Sequence, residues 1–160
     1  MRSSNVIRAL VATAFVVGQA FATEQGRDAI TFASRQDSIL ECPLNDFLRR
    51  LQKIPSFDIP NTANYKGYTA SWEVKNSHLY LVTFHATTND QPYSISSLFP
   101  DRKLPIHADW YSGTLHIVSG KETLTQGRYT YERVTTLQVT NGVVLTTNRM
   151  TNVREDKLKR

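Results

Sequence analysis

One cysteine, Cys42, stands in a chain of 160 residues, so no disulfide can form within it. The longest charge-free apolar stretch is well short of the roughly 20 residues a spanning helix needs. No Gly-x-Ser-x-Gly elbow occurs, and Cys42 has no local partner that would mark it as a thiolate, which speaks against serine or cysteine hydrolysis. With 7 Gly and 6 Pro, the composition is neither collagenous nor low in complexity. What remains is 40% hydrophobic residues against 21% charged, enough apolar material for one folded core.

A strong charge of one sign is also missing. The formal net charge is +5, but residues 1–22 hold two of the 19 basic residues and none of the 14 acidic ones, and without them the balance is +3. The last eight residues carry Arg154, Lys157, Lys159 and Arg160 against Glu155 and Asp156, so the body between has a balance of only +1. Basic residues this scattered make no nucleic-acid face.

The start of the chain has the pattern of an export signal. Arg2 and Arg8 flank a polar opening, the run Ala9 to Val17 is uncharged, and Ala20-Phe21-Ala22 supplies small residues at the two positions a signal peptidase reads. The expectation is a signal peptide over 1–22, cleaved after Ala22, a single globular domain over 23–152, and a charged, solvated tail over 153–160. Such a protein is periplasmic or secreted and has no transmembrane segment in its mature form. Cys42 is expected to be buried, because it precedes an apolar helix pattern.

Along the mature chain, Thr23 to Asp28 reads as polar and loose, and Ala29 to Ala33 as a short strand or arm. Pro43 suits a first helical turn, and Leu44, Phe47, Leu48 and Leu51 repeat at i, i+3, i+4 and i+7, which predicts a short amphipathic helix. Pro55 and Pro60 bracket Ser56-Phe57-Asp58-Ile59 and stop it. Gly67 to Val74 and His78 to Phe84 flank Lys75-Asn76-Ser77 as a hairpin, and the second strand, apolar on both faces, reads as central. Ser94 to Phe99 predicts a helical turn.

In Trp110 to Val118, alternation puts Tyr111, Leu115 and Ile117 inward and Ser112, Thr114 and His116 outward. Gly113 marks a bulge there, and Ser119-Gly120-Lys121 closes the strand. Asn141-Gly142 between Tyr129–Thr140 and Val143–Thr147 is a two-residue hairpin turn. These segments predict a β-rich α+β domain: a curved antiparallel sheet or half-barrel of about six or seven strands with one short amphipathic helix on a face.

The run Tyr65-Lys66-Gly67-Tyr68-Thr69-Ala70-Ser71-Trp72-Glu73 is followed by Leu79-Tyr80-Leu81, then Phe99-Pro100 and Ala108-Asp109-Trp110-Tyr111-Ser112-Gly113. Together with Pro43-Leu44 and Phe47, these residues resemble a family of small bacterial β-rich proteins of unknown function. The likeness spans most of Leu40 to Val118, departs at Tyr65, where a Trp is more usual, and brings no catalytic residue with it.

Two constellations remain. His107-Ala108-Asp109 sets an imidazole and a carboxylate on one side of an extended segment, and with His85 or His116 it would form a metal or acid–base site. The aromatics Tyr65, Tyr68, Trp72, Tyr80, Trp110 and Tyr111 form either core or a docking row, and those bordering loops, Tyr65, Trp110 and Tyr111, are the candidates for binding. No cofactor motif is present. The sequence therefore points to a non-enzymatic binding or accessory domain that meets a protein or another envelope component. The runner-up is a small periplasmic hydrolase or metal-dependent enzyme using His107 and Asp109.

Overall fold

The computed structural model describes residues 26–158, so the expected signal peptide and its cleavage site lie outside the described residues. In chain order the elements are β1 (Asp28–Phe32), β2 (Arg35–Ile39), α1 (Pro43–Leu48), β3 (Tyr68–Lys75), β4 (His78–Thr88), β5 (Gln91–Pro92), β6 (Ile106–His107), β7 (Gly113–Thr125), β8 (Arg128–Thr140) and β9 (Val143–Arg154). Single helical turns occupy Ile95–Ser97 and Glu155–Lys157. The strands run β3-β1-β2-β7-β8-β9-β4, and β4 pairs back to β3, which makes a curved, ring-like sheet with β5 and β6 attached to β4.

Local turn chemistry builds most of this sheet. Five hairpins turn on two residues that both take positive φ: Ala33-Ser34, Asn76-Ser77, Asn89-Asp90, Gln126-Gly127 and Asn141-Gly142. That geometry matches the right-handed twist of the strands it joins. The β3–β4 and β8–β9 hairpins are the two the sequence announces. At Gly142 the requirement is twofold, since φ is +75° and a Cβ would stand 2.7 Å from the Ala108 carbonyl oxygen.

The expected β-rich sheet with one short helix is what forms, and three details differ. First, β1 lies parallel to β3, with Ile30 beside Trp72, because β2 and α1 provide a crossover between them. Second, β7 does not close at Ser119-Gly120-Lys121 but continues to Thr125 through a bulge between Ser119 and Glu122. Gly120 at φ +80° takes that bulge, and Gly113 only opens the strand. Third, α1 ends at Leu48, and Leu51 follows in a turn bonded to the Leu48 carbonyl.

Inside the ring, Ile30, Trp72, Leu79, Leu81, Leu115 and Leu137 pack with Leu44 of the helix. The opposite face of β7 and β8 is also covered. Val118 stands opposite Val134, and both pack with Tyr131, Val153 and Leu158 in a second cluster. His116, expected to face solvent, is only 4% exposed, because Glu41 covers it. Of the segment expected to trail as a solvated tail, the described residues 153–158 are docked through Val153 and Leu158 by the same cluster, while Asp156 pairs with Arg128 and Arg154.

Candidate functional site

A buried carboxylate sets the geometry of one of the grooves beside helix α1. Asp28 is 1% exposed; its Oδ1 accepts from Lys66 Nζ and from the Ala70 amide at 3.3 Å, and its Oδ2 accepts from Trp72 Nε1 at 3.0 Å. Both oxygens are engaged by donors, as a buried carboxylate requires. The residues expected to be loose thus end in an anchor. Lys66 is drawn inward by it, and its neighbour Tyr65 projects outward.

The loop between α1 and β3 is seated just as closely. A Cβ on Gly67 (φ +72°) would lie 2.6 Å from Phe57 Cβ, so only glycine lets residues 57 and 58 cross there. Phe57 meets Tyr68, Phe84 and Tyr93 edge-on, and the Tyr68 hydroxyl donates to Asn45 Oδ1 at 2.8 Å, which ties β3 to α1. With Phe57 turned in, Ile54 and Ile59 on either side of it turn out. Ile54, Ile59 and Tyr65 are 55%, 57% and 60% exposed and line one groove of about 370 Å³ with Leu48, Arg49 and Lys66.

On the other side of α1 lies a cleft of about 480 Å³ with an aromatic floor. Phe47 stacks on Phe99 at 4.2 Å between centroids, and Trp110 meets Phe99 at 5.0 Å and Phe47 at 5.3 Å. Both arginines of this cleft are engaged: Arg50 donates to the Trp110 carbonyl at 2.7 Å, and Arg102 holds both Asp109 oxygens at 2.9 Å. That fork holds the Asp109 carboxyl below the usual carboxylate range and raises Arg102.

The expected site residues are therefore dispersed. Of the loop-edge aromatics only Tyr65 is a surface group. Trp110 and Tyr111 are each 5% exposed, with Trp110 Nε1 donating to the Pro43 carbonyl and the Tyr111 hydroxyl to the Thr114 carbonyl, so both are core residues. Burial raises the Tyr111 phenol. His107 sits on β6 opposite Tyr80, its ring 5.1 Å from that of His78, and its buried Nε2 has no hydrogen-bond partner. Neither histidine expected to join it does so: His85 stands opposite Thr69 on the β3–β4 pair, and His116 Nδ1 meets Glu41 at 2.7 Å. Among the described residues, no group of three or more His, Cys, Asp or Glu could hold a metal ion. Cys42 is half-buried, and burial raises its thiol, the opposite of what a nucleophile needs.

Sequence reasoning missed Ile54 and Ile59. Their signal was present, since each is a large apolar residue directly before a proline, which steers it away from helix, in a segment without strand alternation.

Fold and site together describe a small β-rich domain whose conspicuous surface feature is an apolar groove beside its one helix. No protein-family model, no curated protein and no solved structure matches the chain. Among the described residues, no helix is long and apolar enough to cross a membrane.

Proposed function

We propose that the chain is an exported, non-catalytic binding domain of the cell envelope, and that it docks a partner protein through the groove lined by Ile54, Ile59 and Tyr65. The observation that carries this reading is the gathering of three large apolar side chains, each more than half exposed, in one concave patch. Single exposed apolar residues are ordinary, whereas a contiguous group rimmed by polar residues marks an interaction site. Arg49 lines the groove but already pairs with Asp46, and Lys66 with Asp28, so the partner segment that fits is one led by apolar side chains. The aromatic cleft is the lesser candidate, because Phe99 and Trp110 at its floor are buried core residues.

The test is capture from native envelope extract with the mature protein and with an Ile54→Ser, Ile59→Ser, Tyr65→Ser variant whose thermal midpoint is unchanged. One partner retained by the wild type and released by the variant supports the proposal. Identical captures with the two proteins, or none with either, overturn it.

A further inference from the structure

The ring leaves β9 with a long bare edge. Strand β9 pairs with β8 along nearly its whole length, but on its other side it meets β4 only at Val143, opposite His78. Among the described residues nothing pairs with that edge beyond Val144, and Leu145 to Asn152 are exposed on both faces of the sheet. A row of unpaired N–H and C=O groups is a template for another strand. Most of the usual protections are missing here: Leu-Thr-Thr-Asn-Arg-Met-Thr-Asn contains no proline, glycine, lysine or acid, and Arg149 is its one charge. The bulge at Leu145 and the positive φ of Asn152 bracket the stretch without interrupting it.

We infer that this edge pairs with the same edge of a second copy, so that two β7-β8-β9 sheets join into one continuous antiparallel sheet about a two-fold axis. Geometry restricts the register. Residues directly opposite in a sheet point to the same face, so a two-fold pairing perpendicular to the sheet must centre on a residue rather than between two. Centring on Asn148 or on Arg149 gives the longest overlap of Leu145 to Asn152. Arg149 at the axis would set two guanidinium groups face to face, which is unfavourable.

Asn148 at the axis avoids that. Its two amides hydrogen-bond to each other, and the pairs outward are Thr147 with Arg149, Thr146 with Met150, and Leu145 with Thr151. Leu145, 63% exposed in one copy, gains cover from the second. Arg149 is the only charge on the stretch and is not directly opposed in this register.

Sedimentation velocity over a concentration series reads the association, and Thr147 reads the register. Thr147 is exposed, so substitutions there leave the fold intact. Thr147→Glu places a carboxylate opposite Arg149 of the other copy twice per dimer and should tighten association by about tenfold or more, while Thr147→Arg should loosen it comparably. A monomer at every concentration up to about 0.5 mM overturns the inference. A dimer indifferent to both substitutions overturns it too, because the interface is then elsewhere.

Discussion

Trp72 Nε1 donates to Asp28 Oδ2 at 3.0 Å and thereby fastens the first strand of the described chain to the strand lying parallel to it. The same carboxylate holds Lys66, whose side chain is almost as buried. Removing one partner of a buried pair leaves the other charged and uncompensated, which typically costs about 3–5 kcal/mol. Asp28→Asn should therefore lower the unfolding free energy by that order in a urea titration. A loss below about 1 kcal/mol would show that water reaches Lys66 and shares its charge.

Tyr111 provides a check on the distinction between core and surface. Its ring is buried and its hydroxyl donates to the Thr114 carbonyl, so Tyr111→Ala opens a cavity and should cost about 3–5 kcal/mol. Tyr65→Ala, at an exposed position, should stay within about 0.5 kcal/mol. Thermal melts of the two variants should differ plainly, and equal midpoints would contradict the placement of Tyr111.

The Arg102–Asp109 fork makes a pH-dependent contribution whose sign is fixed. The folded carboxyl has a lowered pKa, so its contribution is complete above the unfolded carboxylate value and is lost as pH falls through the lower folded value. Asp109→Asn should lose less stability than the wild type between pH 4 and pH 2. Near neutrality the cost should be only about 0–1 kcal/mol, because both groups are nearly half exposed. Urea titrations across that pH range give the comparison, and parallel curves would deny the fork a role.

Cys42 should be a slow thiol. Burial raises its pKa and half-covers its side chain, so iodoacetamide at pH 8 should modify it about tenfold or more slowly than free cysteine, with the full rate restored in urea. Fast modification of the folded protein would show an open, ionised thiol and make it a candidate nucleophile.

What could be read from the sequence depended on how strongly each local segment states its preference. Asn141-Gly142 and Asn76-Ser77 name their turns because asparagine and glycine tolerate the left-handed backbone. Ala33-Ser34 adopts the same geometry without any such signal, and Arg35-Gln36-Asp37-Ser38 has no apolar alternation, so β2 stayed hidden. Pairing with β1 on one side and β7 on the other holds it, and those partners come from distant sequence. Trp110 and Tyr111 border a loop, which made them binding candidates even though strand alternation already turned Tyr111 inward. The helix that covers Trp110 comes more than 60 residues earlier, and no local pattern encodes that contact. The Asp28 anchor was concealed for the same reason, since a lone carboxylate in a polar stretch gives no sign of the tryptophan and lysine awaiting it.

The closure between β4 and β9 is a seam. One residue pair, His78 with Val143, makes it, with the Leu79 amide donating to the Gly142 carbonyl and the Val144 amide to the Ser77 carbonyl, each at 2.8 Å. The hairpins on either side zip up from neighbours in sequence, whereas the seam must wait until two separately formed hairpins find each other. A ring assembled in that order has an inherent weak link. It can open at the tips of β3–β4 and β8–β9 while both ladders stay intact, so this domain would breathe as a clasp rather than melt as a sheet.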